Sequence, residues 1–249
     1  MDAVRQRLAY NKVKGVKTMS VITISRDFGS EGDYIAEKVA QILGYHFVDK
    51  EFFSKVLSQY GLIEFDEEYD VLPGFWEKLD PHQHELRGEV VDMFNRTIRA
   101  VAQHGNVVIL GRSGFEVLEE FADMVNVRLQ APIPLRIRRV MTEMKIPFEQ
   151  AEEVVKENDK VHIAFAEEFY KIPWDALHVF YLVINTGKIS PDMAIAWVVD
   201  TVHGLSMRYG TDKPSVRSLE VDKTLQSTVS EVLNCTMTHT NEPARVVGK

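Results

Sequence analysis

The strongest constraint on this chain is an alternation: short β-branched apolar runs, each followed by a turn and then by a stretch with apolar residues at helical spacing. Val21-Ile22-Thr23-Ile24-Ser25 passes through a glycine-containing turn, 26–32, into a segment where Ile35, Val39, Ile42 and Leu43 recur at helical spacing and Gly44 is the stop. His46-Phe47-Val48 reads as a second strand that ends at Asp49, before a helix through Phe52, Phe53, Val56 and Leu57. A long helix through Val90, Val91, Phe94, Ile98 and Val101 ends near Gly105. Asn106-Val107-Val108-Ile109-Leu110 is the clearest buried strand, and Gly111-Arg112-Ser113-Gly114 forms a second glycine-bearing turn. A fourth strand covers 125–129, a basic helix carries Arg136, Arg138 and Arg139, and Pro147 opens a charged helical stretch to about Tyr170. A fifth strand covers 180–184, and Pro191 starts a last helix to about Met207. Such an alternation predicts a parallel sheet covered by helices on both faces, with ligands at the carboxyl ends of its strands. Both glycine turns lie at such ends.

Composition narrows the class. A chain of 249 residues with 45% apolar and 27% charged residues has enough apolar surface for a sizeable core. Its single cysteine, Cys235, has no internal partner, so a reducing, cytoplasmic setting is expected. The longest apolar runs, such as 180–184 and 193–199, fall far short of the roughly 20 residues that span a bilayer. A net charge of −8 disfavours broad attraction to nucleic-acid backbone. The histidines are scattered, without metal-site spacing, so no metal site is expected from protein ligands alone. Nothing in the pattern specifies an oligomeric state. Residues 1–18 read as a basic extension, 19–208 as the main domain, and 209–249 as a weakly ordered tail with room for one extra strand or helix. Residues 61–82, with an acidic stretch at 64–70, read as an irregular insertion.

Phosphate binding after a first strand needs converging amides, glycines that permit close approach, and the positive end of a helix. Gly29-Ser30-Glu31-Gly32 meets that description, and an ordinary strand-to-helix turn meets it equally. VITISRDFGSEGDYIAEKVA from Val21, with GYHFVDKEFF, VVILGRSG and LVINTGKIS in order, resembles the cytidylate kinase-like family, relatives of bacterial CMP kinases within the P-loop fold.

That resemblance implies a P-loop NTPase fold: five parallel strands, helices on both faces and a helical lid. It implies small-molecule nucleotides as partners, with ATP and Mg2+ as cofactors, and catalysis by positioning and electrostatics. Gly29, Ser30 and Gly32 would cradle donor phosphates, flanked by Glu31, Asp33 and Tyr34. Asp49 and Lys55 would lie near the acceptor nucleoside and its phosphate. Gly111 and Arg112 would form the acceptor-phosphate turn, because a planar guanidinium binds two oxygens at once. Arg136 and Arg139, one helical turn apart, would face the donor, and Asp159 and Lys160 of the lid would bind substrate.

The chain also departs from the family. The common loop reads G-x-x-x-x-G-K-S/T, whereas the lysine position here holds Gly32 or Asp33 and Tyr34 stands where the magnesium-holding hydroxyl is usual. Glu31 and Asp33 bring two carboxylates to a site for triphosphate, which calls for Arg26 or magnesium to offset them. The lid keeps Asp159 and Lys160 but has His162 and Ala164 where arginines are usual, and Ser113 replaces the aspartate of the Gly-Arg-Asp turn. Two expectations follow: an ATP-dependent kinase of nucleoside monophosphates, with CMP the leading acceptor, or a catalytically weak or inactive nucleotide-binding relative with a regulatory role.

Overall fold

The computed structural model describes residues 20–61, 81–173, 176–205 and 213–239. The expected basic extension, the acidic insertion and the boundary near 208 lie outside these residues. β1 (Val21–Arg26), β2 (His46–Val48), β3 (Val107–Leu110), β4 (Met124–Gln130) and β5 (Leu182–Asn185) form one sheet in the order β2-β3-β1-β4-β5. Every pairing is parallel, and β1 is central, with Val21 opposite both Val107 and Met124. The predicted five-stranded α/β sheet is therefore present.

Strand alternation sends successive side chains to opposite faces. Val21, Val107 and Ile109 enter one core with Phe52, Phe53, Phe94 and Ile98. Ile22, Ile24, Val108 and Leu110 enter the other with Ile35, Val39, Val198 and Val202. The first core is closed by α2 (Lys50–Ser58), α3 (Pro81–His104) and a C-terminal helix, and the second by α1 (Gly32–Leu43) and α7 (Pro191–Leu205). After β3 comes the short α4 (Gly114–Val117). The lid is a helix pair, α5 (Ile133–Met144) and α6 (Phe148–Tyr170), joined through Ile137, Val140, Ala151 and Val155. Among the described residues no helix is long and apolar enough to cross a membrane.

Two expectations need correction. The fifth strand runs Leu182–Asn185 rather than 180–184, because Leu177–Val179 form a 3-10 turn and pairing with β4 begins at Val127 opposite Leu182. Residues 213–239 hold the one extra helix allowed for in the expected tail, but it is packed on the core rather than weakly ordered. Asp123 accepts from the Ser215 hydroxyl at 2.5 Å and from the Val216 amide at 2.9 Å. Asp222 then caps α8 (Lys223–His239), accepting from the Thr224 and Leu225 amides at 3.0 Å. Leu225, Val229, Val232 and Leu233 are buried in the first core. Their spacing is a helical stripe that the intervening Ser and Thr residues obscured.

Candidate functional site

The first glycine loop follows β1 and is held from two sides. Gly29 has φ +78°, and a β-carbon there would stand 3.0 Å from the Arg136 carbonyl and 3.1 Å from Val140, so α5 packs closely on the loop and a side chain there would be strained. Ser30 is fully buried, and its carbonyl accepts from the Thr186 hydroxyl at 2.9 Å. Glu31 is left-handed at φ +64°, a conformation that costs a non-glycine residue about 1–2 kcal/mol. Its side chain does not cap α1 and instead pairs with Arg139 at 2.6 Å. Arg139 also donates to the Thr186 carbonyl at 2.8 Å and to the Thr186 hydroxyl at 3.0 Å. Asp33 and Tyr34 are exposed at the start of α1.

Arg26, the last residue of β1, lies across the loop. A β-carbon on Gly32 would stand 2.6 Å from Arg26 Cγ, and one on Gly111 would stand 2.6 Å from Arg26 Nη1. The side chain therefore passes over Gly32, one of the two positions that answer to the usual lysine, and reaches the second glycine turn. Burial lowers the Arg26 pKa, with the charge of Arg112 adding to the effect, while Asp33, 3.8 Å away, and Asp49 oppose it. Beneath the loop, Arg128 of β4 donates to Ser25 Oγ at 2.8 Å and to Asp27 Oδ1 at 2.7 Å. Burial raises the Asp27 carboxyl against the pull of Arg128 and Arg136.

The second turn concentrates backbone strain. Gly111, Arg112 and Ser113 are all left-handed, at φ +74°, +58° and +52°. The turn is anchored by the Gly111 amide, which donates to the Ile24 carbonyl at 2.9 Å. The Arg112 guanidinium carbon lies 5.4 Å from the centre of the Phe94 ring, a cation–π arrangement.

A cleft of about 210 Å³ opens between the ends of β1 and β3 and the lid helix α6. Arg26, Gly111 and Arg112 line it, as do Lys50 at the start of α2, Phe28, and residues 157, 158 and 162 of α6. Burial, then the charges of Arg26, Arg112 and Arg128, pushes the His162 pKa down to about 3, so its imidazole is neutral at pH 7.

Sequence comparison bears on this geometry. Residues 21–188 match the model of the cytidylate kinase-like family, a span that includes both glycine turns and the lid. The chain belongs to that family. The cytidylate kinase of Ignicoccus hospitalis is 28% identical over 179 residues, covering 71% of this chain and 95% of its own. That of Haloarcula marismortui is 24% identical over 203 residues, covering 81% of this chain and 99% of its own. An uncharacterized protein from Eubacterium ventriosum shares the fold at a TM-score of 0.56 and 18% identity, over 74% of this chain and 98% of its own.

Within this member of the cytidylate kinase-like family, the residues singled out from sequence separate into groups. Arg26, Gly111 and Arg112 meet at the cleft, and Gly29, Ser30, Glu31 and Gly32 build the loop. Arg136 is buried and makes a two-point contact with Asp159, at 2.9 and 2.8 Å, while donating to the Ala131 and Phe28 carbonyls at 3.0 and 3.2 Å. That pair ties α5, α6 and the loop together. Asp49 caps α2 by accepting from the Phe52 amide at 3.0 Å. Lys55 is exposed and pairs with Glu51 at 2.8 Å, and Lys160 pairs with Glu157 at 2.8 Å. Sequence reasoning missed Lys50, Arg128 and Thr186. Arg128 was the readable one, as a lone charge inside the apolar run 124–130. No group of three or more metal-ligating side chains occurs among the described residues.

Proposed function

We propose that this protein transfers a phosphoryl group from ATP to a nucleoside monophosphate, with CMP the leading acceptor. The observation that carries the reading is the meeting of Arg26 and Arg112 at one cleft, between the carboxyl ends of β1 and β3 and under α6. Two guanidiniums that near each other are stabilised by an anion between them. Membership of the family and the relatives' names support the same reading.

The residues present fit a magnesium nucleotide. The first turn of α1 has no side-chain cap, so its amides remain suited to phosphate, and the Glu31 carboxylate is engaged by Arg139. Mg2+ takes only one or two protein carboxylates when phosphates and water complete its shell, and Asp33 is the exposed carboxylate beside the loop. Bound ATP with Mg2+ supplies the phosphoryl group and screens its charge. Arg112 would hold the acceptor phosphate, Arg26 would bridge towards the donor in place of the absent lysine, and α6 would exclude water. The test is a coupled ADP-release assay against CMP, UMP, AMP and GMP. Release with at least one of them is expected, and release with none overturns the kinase reading.

A specific observation favours a second reading, a weak or inactive nucleotide-binding relative: His162 is neutral where the resemblance calls for a lid arginine. That reading expects turnover far below the roughly 1–100 s⁻¹ of protein kinases, with nucleotide binding retained in thermal-shift measurements.

A further inference from the structure

We infer that Glu157, assisted by Asn158, selects the acceptor by accepting hydrogen bonds from an exocyclic amino group on its base; this rests on the nucleotide reading of the cleft. Both residues line the cleft from one turn of α6. Glu157 accepts from Lys160 through Oε1 at 2.8 Å, while Oε2 is buried with no hydrogen-bond partner among the described residues. Such an oxygen costs stability unless a ligand donates to it. Asn158 donates one amide hydrogen to the Val154 carbonyl at 2.9 Å, and its carbonyl oxygen is an acceptor beside Glu157. The lid turn therefore presents acceptors.

Charge fixes which part of a nucleotide comes to them. A phosphate is repelled by the Glu157 carboxylate and drawn to Arg26 and Arg112, so the base or ribose faces α6. Phe28, Phe115, Val161 and Phe165 line the space between, a wall suited to a planar ring. A base with an amino group, as in cytosine, offers two N–H donors to two acceptor oxygens. A keto oxygen at the same place, as in uracil, sets acceptor against acceptor and leaves Oε2 unsatisfied.

Calorimetry on the full chain, with CMP, UMP and dCMP as probes, tests this in the wild type and in Glu157→Gln. The wild type is expected to bind CMP at least about tenfold more tightly than UMP. Glu157→Gln, whose amide can donate to a keto oxygen, is expected to erase that preference by tightening UMP, with the CMP to dCMP ratio unchanged. Equal CMP and UMP affinity in the wild type overturns the inference, as does a preference that survives Glu157→Gln. Collapse of the CMP to dCMP ratio in the variant also overturns it, because Oε2 would then be reading a ribose hydroxyl. If no monophosphate binds the wild type, the nucleotide reading itself falls, an outcome distinct from equal binding of all three.

Discussion

Arg26 occupies the space that a side chain at position 32 would need: a β-carbon on Gly32 would stand 2.6 Å from Arg26 Cγ and 2.7 Å from its Cβ. An arginine at the end of β1 and a glycine at the start of α1 are thus complementary. On the proposed reading, the guanidinium arriving from the strand would serve where the usual loop has a lysine on the helix. Arg26→Ala is expected to lower phosphoryl-transfer turnover by about 10²–10³, the scale for losing one transition-state contact. Unchanged turnover would mean that Arg26 serves only to pair with Asp33.

Arg112 is the acceptor-side cation in this scheme. Arg112→Ala is expected to weaken monophosphate binding by about 1.5–3 kcal/mol, the range for a charge-assisted hydrogen bond. Loss of its stacking on Phe94 should lower folding stability by about 0.5–1 kcal/mol. Titration calorimetry and thermal melts separate the two effects, and equal nucleotide affinity in the variant removes Arg112 from the site.

The Arg136–Asp159 pair is a structural clasp between the lid helices. Both side chains are mostly buried, at 5% and 21% exposure, so Asp159→Ala strands a guanidinium. A loss of about 3–5 kcal/mol in urea unfolding is expected. Replacing both partners with apolar residues of similar size, as in Arg136→Met with Asp159→Leu, should recover much of it. Full stability in the single variant would show that the clasp contributes little.

His162 makes stability depend on pH. Its folded pKa, about 3, lies below the ordinary value of 6.5, so between these values the unfolded chain binds a proton that the folded one refuses. Stability from this group is therefore undiminished above about pH 6.5 and falls as pH drops towards 3, by about 1.4 kcal/mol per pH unit. Denaturant melts at pH 7 and pH 5 should show a smaller acid loss in His162→Gln than in the wild type. Identical losses would point to other groups.

Legibility followed burial and locality. Parallel strands covered on both faces are continuous apolar runs, so β1, β3 and β4 were readable within a residue or two at each end. Arg112 was readable because it sits in a glycine turn immediately after such a run. Arg136 was not, since its partner Asp159 lies on another helix and only tertiary packing brings them together. Lys55 came from the resemblance, and residue type alone does not give helix phase. Lys55 falls one turn after Glu51 on the solvent face, whereas Lys50 opens the helix at the cleft. Glu31 read as a repeller of phosphate because its counter-ion, Arg139, comes from a distant helix.

The seating of α8 has a consequence for biosynthesis. Leu225, Val229, Val232 and Leu233 complete a core face whose other members, Phe52, Phe53 and Phe94, have left the ribosome more than a hundred residues earlier. Until α8 emerges, the face of the core that it covers is expected to stay open to chaperones and proteases. Closure of this core waits for α8, so a nascent chain halted before residue 223 is expected to be a substrate for quality control rather than a shorter folded form.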